Sequence, residues 1–258
     1  MQTVLFHSTI FGPIHSRRLG RSLGVNLSPI DGKVCSFDCL YCEAGFNAQG
    51  PGTTGLPCRA DVKRLLEEKL RDMSANGEPL DVITFSGNGE PTLHPEFEGV
   101  IEDTIGLRDK YFPQVKISVL SNSTMLHSGS VCRALRKVDN NILKLDSAIT
   151  PTMRAIDRPN SAALSSEKVI EQLAQFGSGC VVQTMLLRGE YNGERIDNTT
   201  SEEVEALVAA YKRIRPREVM LYSIDRKTPA EHLQKVEKEE LERVADKIRA
   251  CGIKVEVA

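Results

Sequence analysis

Three cysteines fall inside eight residues in CSFDCLYC at 35–42: Cys35, Cys39 and Cys42. Thiols at C-x3-C-x2-C spacing in a reducing compartment are metal ligands, and their number narrows the metal. Structural zinc asks for four protein ligands, and no second C-x-x-C or adjacent Cys/His pair supplies the fourth; only His7, His15 and Cys58 could be recruited. Three thiolates on a [4Fe–4S] cluster leave one iron open to a non-protein ligand, so iron–sulfur chemistry is the better fit. The other four cysteines are scattered. Cys132, Cys180 and Cys251 read as small buried hydrophobes, and so does Cys58, less securely because it lies in a Gly/Pro-rich loop.

Positioning such a group requires a rigid frame, and the chain offers one in alternating patterns. Runs rich in Val, Ile, Leu and Thr at 24–29, 81–87, 115–122, 141–147, 180–188 and 218–224 read as strands. Between them, DVKRLLEEKLRDMSA, SEKVIEQLAQF, SEEVEALVAAYKRI and KEELERVADKIRACG carry apolar residues three and four apart behind Asp or Ser caps, as amphipathic helices do. Repeated βα units imply a parallel sheet, doubly wound or curved into a partly open barrel, and the closing KVEVA adds a strand. Chemistry on such sheets sits in the loops after the strands. The polar punctuation falls there: SGNGEP at 86–91, SNST at 121–124, Asp146-Ser147, RGEYNGE at 188–194 and DRKTP at 225–229. Residues 44–60 form one long Gly/Pro-rich loop, expected to order around the cysteines or act as a lid.

The bulk properties agree with a core-bearing α/β chain of 258 residues. Its net charge of -2 gives no global pull toward a polyanion, and aromatic residues at 5% do not suggest a nucleic-acid stacking surface. No apolar run approaches the eighteen residues of a membrane span, and the first residues lack the pattern of a signal peptide, so a cytoplasmic protein is expected.

With Tyr41 just before the last cysteine, the cysteine loop resembles that of the radical S-adenosylmethionine enzymes. SGNGEP is similar to their Gly-Gly-Glu motif, Asn88 standing between Gly87 and Gly89. The resemblance covers about residues 20 to 225 and implies an α/β fold, a partial (β/α)6 TIM-like barrel of parallel strands. It implies one domain over 1–258, with an extension at 1–23, the barrel core at 24–225 and a C-terminal helix and strand at 226–258. It implies a [4Fe–4S] cluster on Cys35, Cys39 and Cys42, and S-adenosylmethionine bound among Tyr41, Gly87, Asn88, Gly89, Glu90, Ser121, Asn122, Asp146, Ser147, Gln183 and Tyr222. Thr184 and the backbone to Ile224 fall in the same regions.

Upstream, FGPIHSRRLGRSLGVNLSP together with the two motifs resembles the Fe–S oxidoreductase branch that includes the wyosine-tRNA synthesis enzymes. The second cysteine set of those enzymes is missing, since Cys35 is the first cysteine. Arg17, Arg18 and Arg21 could take a phosphate or carboxylate near the open barrel mouth. His15, His94, Arg154 and Arg158 are further candidate contacts. The activity implied is reductive cleavage of S-adenosylmethionine, with the electron coming from a flavodoxin or ferredoxin. The resulting 5′-deoxyadenosyl radical would take hydrogen from an RNA base, a peptide or a small molecule. A glycyl-radical-enzyme activase is the alternative within that chemistry. A non-catalytic Fe–S electron-transfer protein is the alternative outside it.

Overall fold

In the computed structural model, which describes residues 4–16 and 18–258, the alternation becomes ten strands and seven α-helices. The strands are β1 (Ile10–Ser16), β2 (Gly20–Val25), β3 (Val82–Phe85), β4 (Lys116–Ser121), β5 (Asn140–Lys144), β6 (Val181–Tyr191), β7 (Glu194–Asp197), β8 (Glu218–Ser223), β9 (His232–Lys235) and β10 (Val255–Val257). The helices are α1 (Arg59–Ala75), α2 (Phe97–Tyr111), α3 (Gly129–Leu135), α4 (Thr150–Asp157), α5 (Ser166–Ala174), α6 (Ser201–Ile214) and α7 (Lys238–Arg249). Helix α6 shows why these segments coil. Thr200 accepts from the Glu203 amide at its start, acids fill its first turn and Lys212 and Arg213 its last, and Val204, Leu207, Tyr211 and Ile214 make one buried stripe.

The sheet order is β1-β2-β3-β4-β5-β6-β8-β10. From β2 to β10 every neighbour is parallel; β1 alone turns back antiparallel on β2. Neither end of the order pairs with the other, so the sheet curves without closing, as a partial TIM-like barrel does. Side-chain alternation sorts each strand between two environments. Leu23, Val25, Ile83, Phe85, Ile117, Val119, Leu143, Val182, Val219 and Leu221 join the main core beneath the helices. On the other face, Leu19, Leu120, Ile142, Val181 and Met220 pack together and plug the lumen. Beyond that plug, toward the C-terminal strand ends, Lys144, Gln183, Met185 and Tyr222 come level through the registers Lys144↔Gln183 and Met185↔Tyr222.

The elements depart from the sequence pattern in three places. The first parallel strand begins at Gly20, earlier than the expected 24–29, and pairs with β1. RGEYNGE is no simple loop: β6 runs on to Tyr191 and returns as β7 through the two-residue turn Asn192-Gly193, both at positive φ. Strand β9 then pairs with the same extension of β6, so a small antiparallel annex of β7, β6 and β9 stands at the C-terminal end of β6.

Candidate functional site

The cysteine loop follows β2 and is held by residues that arrive much later in the chain. Leu40 N donates to Ile156 O (3.0 Å), Asp38 N to Asp157 O (3.0 Å), Asn160 N to Ser36 O (3.0 Å) and Ala230 N to Leu40 O (3.2 Å). The Asn160 amide donates to Cys35 O at 3.1 Å. Asp38 knots the loop from inside: its carboxylate accepts from Asn47 N (2.6 Å) and pairs with Arg158 (3.3 Å) and Lys33 (3.6 Å). Arg158, in the left-handed conformation at φ 47°, lies over the rings of Phe46 (5.0 Å) and Tyr191 (5.2 Å), which ties the loop to the annex. The long 44–60 loop is ordered against this frame, with Asp31 accepting from the amides and hydroxyls of both Thr53 and Thr54. Those four bonds hold the Asp31 carboxyl well below the usual carboxylate range, the Thr54 hydroxyl contributing most.

Two nitrogen donors reach the thiols. Asn122 Nδ2 lies 3.5 Å from Cys35 Sγ and donates to Ser36 Oγ at 2.9 Å. Lys144 Nζ lies 3.1 Å from Cys39 Sγ. Burial pushes the Cys35 thiol up to about 11, helped by Glu90, and burial also holds the Cys39 thiol well above its ordinary range. Soft thiolates with N–H donors behind them are the donor set of an iron–sulfur cluster. By the chemistry of its donors this set fits a cluster, in which each thiol meets its own iron.

Lys144 is the centre of a buried network. Its ammonium pairs with Asp157 (2.6 Å) and Asp146 (3.0 Å), donates to Tyr41 Oη and lies over the Tyr41 ring (4.6 Å). Burial opposes charge on Lys144, but Asp146 and Asp157 more than offset it, so the ammonium persists well above its ordinary range. Burial pushes the Asp157 carboxyl up to about 8 against the pull of Lys144. Asp146 is fully buried: Oδ1 accepts from Met185 N (2.9 Å), while Oδ2 takes Tyr41 Oη and Lys144. Leu40, Ile156, Met185 and Leu187 form an apolar wall beside it, with Tyr41 and Tyr222 packed against them.

The GNGEP turn closes on the cysteine loop through backbone. Val34 bridges Gly89, and an added Cβ on Gly89 would stand 1.9 Å from Val34 O; one on Gly87 would stand 2.3 Å from Asn26 Oδ1. Glu90 accepts from Thr92 N (3.0 Å) and from Asn122 N (2.6 Å), so it aims the next strand's loop, which carries Asn122, at Cys35. Burial raises its carboxyl. Ser123, at φ 71°, donates to Lys144 O and links the ends of β4 and β5.

Among the expected cofactor contacts, Tyr41, Asn122, Asp146, Gln183 and Tyr222 gather around the thiols and the adjoining lumen, with Gln183 Nε2 donating to Tyr222 Oη at 2.6 Å. Other side chains are engaged elsewhere. Asn88 is spent on the Phe6 and Pro29 backbone. Ser121 accepts from Ser123 N, and Ser147 donates to Glu203 on α6 (2.6 Å). His94 is buried, bonded through Nε2 to Pro57 O and through Nδ1 to Glu96 N, and Arg154 Nη2 donates to the carbonyls of Ala162 and Leu164. His15 is exposed. The arginine motif is a correction. The β1–β2 turn stands at the N-terminal strand ends, where Arg21 N donates to Asp81, and not at the mouth beside the cysteines. Arg17 lies outside the described residues. Lys144 and Asp157 went unnoticed in the sequence: Lys144 lies two residues before Asp146, yet only the pairing of β5 with β6 and the seating of α4 bring the two side chains together.

Comparison with known proteins places this geometry. The profile of the radical SAM superfamily matches residues 30–199. A protein of Brachyspira hyodysenteriae called GTPase Obg is 28% identical over 96% of this chain and 35% of its own length. The UPF0026 protein slr1464 of Synechocystis is 32% identical over 85% of this chain and 77% of its own. The chain spans about a third of the Brachyspira relative and 66% of a Helicobacter pylori UPF0026 protein. In fold it is similar to a radical SAM methyltransferase from Sphaerobacter thermophilus, with a TM-score of 0.66, 16% identity, and coverage of 92% of this chain and 65% of that one. TYW1 in a structure with a lysine–pyruvate adduct gives 0.56 at 15% identity, covering 89% and 73%. Superfamily members use a [4Fe–4S] cluster and S-adenosylmethionine, and the partial barrel with its thiols at the end of the first parallel strand belongs with theirs. The chain is a member of the radical SAM superfamily.

Proposed function

We propose that Cys35, Cys39 and Cys42 hold the [4Fe–4S] cluster. In this reading S-adenosylmethionine lies between the Gly87–Glu90 turn and the C-terminal ends of β4, β5, β6 and β8. When bound, the two cofactors supply reductive cleavage that generates a 5′-deoxyadenosyl radical, and hydrogen is taken from a substrate at the same mouth. The observation that carries this reading is the pair of donors on the thiols, Asn122 on Cys35 and Lys144 on Cys39.

The chain's own work is to bind, orient and exclude water. Lys144 offsets negative charge at the Cys39 ligand. Asn122 donates toward Cys35, and Glu90 fixes the loop from which it does so. The apolar wall of Leu40, Ile156, Met185 and Leu187 keeps water from the reacting atoms. With both Asp146 oxygens engaged by the protein, its part is to hold Lys144 and Tyr41 in place. A flavodoxin or ferredoxin supplies the electron, and the substrate is an RNA base or another modification target.

The test is anaerobic. Protein reconstituted with iron and sulfide, reduced with dithionite and given S-adenosylmethionine should yield 5′-deoxyadenosine, and Cys39→Ala should yield none above background. A cluster that assembles without cleaving or binding S-adenosylmethionine would leave an electron carrier in its place.

A further inference from the structure

Most cations around the cysteine loop are matched. Lys33 and Arg158 pair with Asp38, Lys144 with Asp146 and Asp157, and exposed Arg226 with Glu43 at 2.6 Å. Arg154 and Lys168 are gathered on the short loop between α4 and α5 and have no such match. Arg154 Nη2 donates to Ala162 O and to Leu164 O (2.7 Å), and Lys168 Nζ donates to Ala163 O (3.0 Å). Among the described residues no carboxylate pairs with either. The acids on α5, Glu167 and Glu171, turn instead to Arg213 on α6.

Beside this loop opens a cavity of about 310 Å³, between the segment after β4 and the first turns of α5. Pro159, Ala163 and Leu164 give it apolar walls, exposed Lys168 lines it, and among the described residues no carboxylate does. Its inner side is made by Ser36 and Asn160. Ser36 follows Cys35 directly, and the exposed Asn160 amide donates to Cys35 O at 3.1 Å. A molecule in this cavity is therefore one hydrogen bond from the Cys35 main chain. The lumen residues Lys144, Gln183, Met185 and Tyr222 take no part in its lining.

We propose that this cavity and its two cations are the docking site of the electron donor, and that the donor is a small acidic flavoprotein of the flavodoxin kind. The proposal rests on the cluster reading given above. Unmatched cations beside a cavity without carboxylates are complementary to an acidic partner, and the attraction between them speeds encounter. The apolar walls take the edge of the flavin ring, which comes to lie beside Ser36 and Asn160. One electron leaves the reduced flavin and enters the oxidised cluster by way of Cys35. From the anionic hydroquinone the step transfers no proton. Entry at the Cys35 backbone leaves the lumen free, so the donor docks without displacing S-adenosylmethionine or substrate.

The experiment is calorimetric titration of the anaerobically reconstituted protein with an oxidised bacterial flavodoxin at low ionic strength, followed by stopped-flow reduction of the cluster by the same flavodoxin as hydroquinone. Saturable binding that weakens steeply with added salt is expected. Lys168→Glu should weaken it about tenfold or more and slow cluster reduction by a similar factor. Ala163→Trp, which fills the cavity and keeps the charge, should weaken binding several-fold. Lys116→Glu, the same charge change at the exposed start of β4, should bind as wild type does. Dithionite should reduce the cluster of every variant to the wild-type extent. Absence of saturable binding would overturn the proposal, and so would wild-type binding by Lys168→Glu. Equal losses in Lys168→Glu and Lys116→Glu would overturn the placement, leaving only a general effect of charge. Binding of a ferredoxin in place of the flavodoxin, lost in Lys168→Glu, would overturn the choice of partner. If Ala163→Trp does not fold, the two lysine variants decide. A wild-type protein that assembles no cluster, read from its iron content before flavodoxin is added, would overturn the cluster reading and this proposal with it. A cluster reduced by dithionite without docking overturns the proposal alone.

Discussion

Lys144 is the residue on which the cysteine site turns, because it joins the Cys39 thiol to two buried carboxylates. Its charge stands beside Cys39, and a cation at that distance stabilises the reduced, more negative state of a cluster. Lys144→Met should therefore shift the midpoint potential downward by an amount on the order of tens of millivolts, read by electron paramagnetic resonance during redox titration. An unchanged potential would mean that Lys144 only fills space. The variant also leaves Asp146 and Asp157 without their cation, so a fall in thermal stability should accompany the shift. The sequence showed the thiols, Tyr41 and the GNGEP turn because their types and spacing are unusual. It did not show Lys144 or Asp157, since a lysine near a strand end or an aspartate at a helix end is ordinary until register and packing make it a partner. Nor did it show the use of the Asn88 side chain, whose amide pins Phe6 and Pro29.

At the scale of elements, the GNGEP turn is a packing joint. Gly89 meets a backbone oxygen, which cannot swing aside, whereas Gly106 inside α2 faces open space. Gly89→Ala should cost about 1–3 kcal/mol and lower iron loading along with stability, because Val34 leads directly into Cys35. Gly106→Ala should be neutral or stabilising by up to about 1 kcal/mol, since it relieves a helix of glycine's entropy. Denaturant unfolding and iron analysis of both variants check the contrast, and equal behaviour would refute it. The parallel strands and four of the helices, α1, α5, α6 and α7, were readable from period alone. The annex was not, although its signal was present: Asn192-Gly193 between Tyr191 and Glu194 is the two-residue hairpin turn, masked by acidic neighbours that looked like loop. Strand β9 is short and mostly exposed, and its existence depends on the β6 edge it joins.

For the whole molecule, the outer helices are laced by ion pairs on one flank: Arg59 and Lys63 with Asp103, Lys110 with Glu67, and Arg133 with Glu98. Each of these carboxylates is held below its usual range, chiefly by its hydrogen bond to the named Arg or to Lys110. A depressed carboxylate contributes stability above its ordinary value near 4, and that contribution is lost as pH falls through the folded value. Buried Glu90 and Asp157 are raised and work in the opposite sense, so comparison with a variant isolates the flank. Asp103→Asn should lower Tm by about 1–3 °C at pH 7 and by much less near pH 3, measured by scanning calorimetry. An equal loss at both pH values would assign Asp103 a role other than charge.

The clamps on the cysteine loop also set an order of events during synthesis. Asn160, which donates to Cys35 O, lies 125 residues further along the chain. At about 5–20 residues per second, the three thiols leave the ribosome roughly ten seconds before the residues that will enclose them exist. During that interval they are ordinary exposed cysteines, open to oxygen and to stray metal. In the reading proposed above, a cluster on these thiols would be enclosed only once those later residues are in place.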